Sequence, residues 1–186
     1  MSNIFITSDL HVGHIGVIKF LNNDGTKLRP WDTVEEMDEA LIKNWNAVVR
    51  PKDKVYNLGD VVINRKALPT LARLNGEKIL IKGNHDGLRL EEYTPYFSDI
   101  RGVGSLDGFV LTHIPVHPVS IGRWTGNFHG HLHSNRVAAL PFDLEYSKFM
   151  PKHGFIDKRY LCLCVEHTNF QPIALEDAKK LFKGQQ

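Results

Sequence analysis

Cysteine is almost missing from this chain: Cys162 and Cys164 are the two among 186 residues. A metal centre built on thiolates, such as Cu(I), structural zinc or a cluster, is therefore excluded. The two alternate within the apolar run Tyr160-Leu161-Cys162-Leu163-Cys164-Val165. Strand geometry turns both to the same side, where reduced thiols pack as small hydrophobes, and a cytoplasmic location is the expectation. Cationic runs are missing too. No stretch of five Lys or Arg occurs, and a net charge of +2 with a pI of about 8.5 neither implies nor excludes nucleic acid. No segment is long and apolar enough to span a bilayer. Asp9 and His11 interrupt the first hydrophobic stretch, so no signal peptide is expected. At 42% hydrophobic, the chain can bury the core of one domain, residues 1–186, and needs no second.

What the chain does have is histidine, ten in all, and an ordered series of short motifs. These are Asp9-x-His11, Gly59-Asp60, Gly83-Asn84-His85-Asp86, an isolated His113, and Gly130-His131-x-His133. Oxygen and imidazole donors of this kind suit Mn, Fe, Zn or Ni. Ile4-Phe5-Ile6, Val55 to Leu58, Lys78 to Ile81 and Phe109 to Thr112 read as buried strands, each delivering one motif to its C-terminal loop. Between the first two, Thr33-Val34-Glu35-Glu36 is a capping box that predicts a helix start. Val34, Met37, Leu41, Trp45 and Val48 then form one apolar stripe, ending near Arg50-Pro51. Lys66 to Leu74 predicts a second helix, closed by Asn75-Gly76. Pro141, Pro151 and Gly154 punctuate a loop-rich stretch, and a terminal helix from Leu175 to Phe182 packs Leu175, Ala178 and Leu181. Such alternation implies an α/β fold with a largely parallel sheet covered on both faces, and ligands bind outside the carboxyl ends of such strands. Two divalent ions about 3.5–4 Å apart would stabilise the attacking and leaving oxygens of a displacement at phosphorus. The motifs therefore point to a phosphoester hydrolase.

In this order the motifs resemble those of the calcineurin-like metallophosphoesterase superfamily, over residues 9 to 133. Ser8-Asp9-Leu10-His11-Val12-Gly13-His14, Arg29-Pro30-Trp31 and Asn127-Phe128-His129-Gly130-His131-Leu132-His133 are similar to its small, single-domain bacterial and phage members. The resemblance implies a sandwich of two mixed β-sheets flanked by helices, with the metal site at the C-terminal ends of strands. It also implies that Asp9, His11 and His133 hold one metal, that Asn84, His113 and His131 hold the other, and that Asp60 bridges them. Manganese is the first expectation, with Fe, Zn or Ni as the other ions. In the family the histidine of Gly-Asn-His-Asp is no ligand but faces the substrate, so His85 is expected to protonate the leaving oxygen after attack by a metal-bound hydroxide. Asp86 could hydrogen-bond that imidazole and fix its tautomer.

Around this set lie candidate substrate contacts. His14 follows His11 by three positions, near enough to reach a pocket rim. Arg29 could clamp a phosphate oxygen with its guanidinium fork. Trp124 sits in a loop between two ligand motifs, and Asn64 and Arg65 could meet an anionic substrate. His129 shares strand parity with His131 and His133, whereas His117, His153 and His167 read as structural. Gly59-Asp60 continues Val61-Val62-Ile63-Asn64-Arg65, departing from the Asp and Arg pattern of related protein phosphatases and arguing against phosphoproteins. The function expected is hydrolysis of a phosphomonoester or phosphodiester, nucleotide-like and small, with no membrane partner. A nuclease and a catalytically idle scaffold of the same fold are the alternatives. A scaffold has no use for His85 beside a filled ligand set.

Overall fold

Residues 2–139 and 156–185 are described in the structure, a computed structural model. Pro141, Pro151, His153 and Gly154 lie outside the described residues. The strands are β1 Ile4–Thr7, β2 Lys54–Asn57, β3 Glu77–Ile81, β4 Asp99–Arg101, β5 Gly104–Leu106, β6 Phe109–Thr112, β7 Gly126–His129, β8 Tyr160–Cys162 and β9 Ile173–Ala174. They divide into two sheets, ordered β4-β3-β2-β1-β9 and β5-β6-β7-β8. Each sheet is parallel except at one edge, where β9 runs antiparallel to β1 and β5 antiparallel to β6. The helices are α1 Val34–Val48, α2 Leu90–Tyr93, α3 Pro118–Ile121 and α4 Leu175–Gly184.

This is the sandwich of two mixed sheets that the family resemblance implied, whereas the alternation of elements taken alone suggested a largely parallel sheet. The alternation of side chains along each strand explains why both sheets exist. Phe5, Val55 and Leu80 face a core shared with Met37, Leu41 and Trp45 of α1. Their neighbours Ile6, Tyr56, Ile79 and Ile81 face the other way, against Phe109, Leu111, Phe128 and Leu161 of the second sheet. The first sheet is apolar on both faces, so it needs a helix layer on one side and a sheet on the other.

α1 begins as predicted: Glu36 N donates to Thr33 Oγ1 at 3.2 Å, and Glu36 Oε2 accepts from Thr33 N at 3.2 Å. Met37, Leu41 and Trp45 are buried, joined by Ile42, while Val34 and Val48 pack at the edge of the same core. The predicted second helix is instead a 3-10 segment, Arg65–Arg73. Pro69 lies inside it, removing one backbone donor and crowding the preceding turn, so the tighter i to i+3 pattern results. In α4 the buried face is Leu175, Ala178 and Phe182, and Leu181 is 49% exposed. Phe182 therefore takes the core position that sequence reading assigned to Leu181. Among the described residues no helix is long and apolar enough to cross a membrane.

Candidate metal centre

β1, β2, β3 and β6 all end at one edge of the sandwich, and the chain turns sharply where each stops. The loops after β1 and β2 run side by side, with Asp9 N donating to Gly59 O at 2.9 Å and His11 N to Asp60 O at 3.0 Å. Asp9, His11, Asp60, His131 and His133 hold left-handed φ of 59°, 52°, 55°, 72° and 49°. Non-glycine residues avoid this region, at a cost of about 1–3 kcal/mol each, and such strain clusters at functional sites. Packing between the loops also demands glycine. A Cβ at Gly83 would fall on the Asp60 carboxylate, and one at Gly130 on Ser8 Oγ and Asp9 Oδ2.

The turned loops bring together two groups of donors: Asp9, His11 and His133, and Asp60, His113 and His131, with the ligand atoms of each group within 4.8 Å of one another. Asp9 is polarised by its surroundings. Ser8 Oγ, His131 N and Cys164 Sγ all point at Asp9 Oδ2, at 2.5, 2.9 and 3.1 Å. Oδ1 has no hydrogen-bond partner, and faces His11 Nε2 at 3.7 Å and His133 Nε2 at 4.0 Å. Both ring nitrogens of buried His11 are likewise without partners. Orphaned buried polar atoms cost about 1–3 kcal/mol each, and a cation among them removes that cost. Nitrogen and oxygen atoms bound at about 2.0–2.2 Å stand roughly 3–3.5 Å apart, so the donors fit an ion after small adjustments.

The second group is tighter. His113 Nδ1 donates to Leu58 O at 2.8 Å, which leaves Nε2 facing Asn84 Oδ1 at 2.9 Å and Asp60 Oδ2 at 3.2 Å. A neutral imidazole would meet two acceptors with a third, so either a proton or a metal must lie between them. Asp60 Oδ2 is also 3.7 Å from His11 Nε2, so one carboxylate oxygen faces both groups. Its Oδ1 accepts from His85 N at 2.8 Å, which aims both residues.

Burial alone would push His113 down, but the hydrogen bond to Asp60 and the charges of Asp9 and Asp60 push it above the ordinary 6.5. Burial would likewise lower His133, yet its bond to Glu166 and the charges of Glu166 and Asp9 raise it. In the metal-free protein these shifts stabilise the fold below pH 6.5, and the contribution is lost as pH rises through the folded pKa values. Metal binding runs the other way, because the ion must displace those protons. Affinity for Mn²⁺ is thus expected to keep rising as pH is raised past 6.5. Calorimetry in buffers of different ionisation enthalpy should detect released protons; an affinity independent of pH between 6 and 8 would contradict this.

Several residues stand elsewhere than the sequence suggested. Arg29 is no phosphate clamp: its guanidinium is fully buried and donates to Asp9 O at 2.5 Å, Leu10 O at 2.8 Å and Glu166 Oε1 at 2.9 Å. Asp86 does not reach the His85 ring. Its carboxylate accepts from Gly83 N, Asp60 N and Val61 N at 2.8, 2.9 and 2.9 Å, tying two ligand loops together. Trp124 lies before β7, whereas the ligands follow it, so about 13 Å of strand separates them. Thr125 N bonds Gly108 O at that far end. Both polar atoms of the Asn64 side chain are engaged, Oδ1 capping Ala67 N and Nδ2 donating to Gly13 O. Arg65 pairs with Glu92 at the surface. His14 does reach the rim, its ring centroid 5.4 Å from that of His11. β7 ends at His129, so the supposed parity with His131 and His133 breaks, and His129 is buried beside Tyr160.

Sequence reasoning missed Glu166. It sits in a 3-10 turn, Val165–His167, and its Oε1 lies 3.1 Å from His133 Nδ1 while also accepting from Arg29. This fixes His133 with Nε2 turned toward Asp9, as an outer carboxylate does for metal-binding histidines. Cys164 was read as packing alone, yet its thiol, pushed up by burial and by Cys162 and Asp9 beside it, keeps a proton to give Asp9. Neither residue belongs to a motif, and no local signal marks them.

Comparison with known proteins agrees with this geometry. An uncharacterised protein of Methanocaldococcus jannaschii is 36% identical over 191 residues, covering 98% of this chain and 93% of its own. The gene 66 protein of Mycobacterium phage L5 is 40% identical over 92 residues, spanning 47% of this chain and 41% of that protein. The crystal structure of an Aquifex aeolicus protein of unknown function shares the fold, with a TM-score of 0.68 at 22% identity, covering 97% of this chain and 100% of that one. The model of the calcineurin-like phosphoesterase family matches residues 2–184. With that match over nearly its whole length, and the two donor groups its loops assemble, this chain belongs to the calcineurin-like phosphoesterase family.

Proposed function

We propose that the protein is a dinuclear metal-dependent phosphoesterase that hydrolyses a small, nucleotide-like phosphomonoester or phosphodiester. The observation that carries this is Asp60 Oδ2, at 3.2 Å from His113 Nε2 and 3.7 Å from His11 Nε2, one oxygen shared by two donor groups. Two divalent ions there, manganese first among Mn, Fe, Zn and Ni, would supply polarisation of the phosphoryl oxygens and a water acidic enough to react near neutral pH. Asp9, His11 and His133 would hold one, Asn84, His113 and His131 the other. Free thiols at Cys162 and Cys164 fit a reducing compartment such as the cytoplasm.

The remaining chemistry falls to the chain's own groups. His85 is exposed, with its ring centroid 5.6 Å from that of His11, so its imidazole can meet a leaving oxygen beside the ligands. The hydrogen bond from its backbone N–H to Asp60 Oδ1 holds its backbone while the ring can turn to deliver a proton. His14 is pushed down to about 4, by burial first and by nearby His11 and His85, so it offers the substrate an uncharged imidazole at neutral pH. The test is His85→Ala in manganese-reconstituted protein, assayed on a generic phosphomonoester, a generic phosphodiester, cyclic nucleotides and single-stranded DNA. Bound metal should be retained and turnover should fall by about 10²–10⁴-fold. Normal turnover by the variant would remove the proton-donor assignment. A wild type inert toward every substrate would favour the scaffold.

A further inference from the structure

Next to the ligands is a recess of about 280 Å³ whose walls include His131 and His133 themselves. The rest of its lining is Phe20, Leu21 and Leu28 from one segment and Leu132, Ser134 and Asn135 from another. We propose that this recess seats the organic group of the phosphoester as the base of a nucleotide, with Phe20 as stacking wall and Asn135 as hydrogen-bonding edge. This rests on the phosphoesterase reading and says which part of the substrate meets which residues.

Three observations select a base over other groups. First, Phe20 and Leu21 are 46% and 63% exposed, large apolar side chains at the mouth of the recess. The Phe20 ring lies nearly perpendicular to those of His14 and His133, with centroids 6.1 and 6.4 Å away, so neither imidazole is stacked flat on it. An aromatic face left open in this way takes a flat π-system. Second, the other segment brings the polar Ser134 and Asn135 beside Leu132. Asn135 accepts from Asn23 Nδ2 at 3.2 Å through Oδ1, which leaves its own amide N–H groups to donate. An acyl chain would make no use of these groups, and a bare sugar would make none of the apolar wall. A heteroaromatic ring satisfies both. Third, the volume lies just below the roughly 300–1,000 Å³ of pockets that enclose a drug-sized ligand. The recess admits one ring with its sugar, while the phosphate remains over the metal ligands.

The walls are also set in advance. Leu21 and Lys27 pair across a short hairpin closed by Asn22 N to Thr26 O at 2.8 Å, with Asp24 Oδ1 accepting from Thr26 Oγ1 at 2.6 Å. Arg29, buried just beyond, ties that hairpin to the Asp9 loop. Asn135 is held by its own N–H to Leu132 O at 2.9 Å, with His167 Nε2 3.3 Å from its carbonyl oxygen. Hairpin and ligand loop thus present preformed surfaces.

The experiment compares adenosine 5′-monophosphate with ribose 5-phosphate on the manganese-loaded protein, by calorimetric binding and by phosphate release. The adenine ligand is expected to bind about 5- to 100-fold tighter, the range that stacking of one base on one aromatic ring provides. Phe20→Ala should collapse that ratio toward one. Asn135→Ala, in the other segment, should reduce it independently, so that a folding failure of either variant leaves the other decisive. Equal turnover of both esters by wild type would overturn the base seat while the phosphoesterase reading stands. Nucleotide binding that Phe20→Ala weakens, with no turnover of any ester, would keep the seat and overturn the hydrolase. A dimer dissociated by Phe20→Ala with the ligand ratio unchanged would assign the recess to a second copy and overturn the proposal.

Discussion

Asp60→Ala is expected to leave a protein that folds but holds at most one ion and no longer hydrolyses phosphoesters. Among the described residues Asp60 is the one carboxylate whose oxygen faces both donor groups, so with two ions in the proposed site its removal would leave them without the negative charge that lets them approach. Losing an outer hydrogen-bond partner of a ligand costs about 10–100-fold in affinity; losing Asp60, the shared ligand of the proposed site, should cost more. Asp60→Asn is the informative companion, because an amide keeps the oxygen that accepts from His85 N at 2.8 Å while removing the charge. It should retain the loop geometry and still bind metal weakly. Metal analysis after gel filtration reads both variants. Full retention of two ions by Asp60→Ala would rule out the bridge.

Arg29→Ala should be strongly destabilising although Arg29 is not among the candidate ligands. The guanidinium is fully buried and links two backbone oxygens of the Asp9 loop to Glu166, whose side chain is 4% exposed. Deleting one partner of a buried ion pair leaves the other charge uncompensated, at about 3–5 kcal/mol. In a chain of this size that corresponds to a fall in Tm of roughly 6–20 °C. Arg29→Lys should recover only part of it, since an ammonium cannot reproduce the forked contacts. Metal-free protein isolates the effect on folding. A Tm unchanged by Arg29→Ala, with KM raised for phosphoesters, would return Arg29 to the phosphate-clamp role that its guanidinium fork first suggested.

The history of Arg29 shows where local reading ends. An arginine before Pro30, after a polar hairpin, has the local signs of a solvent-facing residue. Its partner Glu166 is 137 positions away, in a segment with no recognisable motif. Asp86 and Trp124 failed for a related reason. Adjacency to His85 said nothing of the three amides that Asp86 meets across a loop junction, and lying between two ligand motifs in sequence put Trp124 at the opposite end of β7. The predicted helix at Lys66 failed locally, because Pro69 outweighed the apolar pattern.

By itself the sequence determined which side chains could be ligands and the edge at which they would gather. Strand periodicity, the glycines of the tight loops and the identity of the donors are all local, and local chemistry survives in a linear string. Only the tertiary structure decided how those donors are held: which oxygen of Asp9 is bare, which nitrogen of His113 faces inward, and that Arg29 and Glu166 brace His133. Those are properties of contacts between segments far apart in the chain, and burial sets their strength by excluding the water that would otherwise satisfy each group.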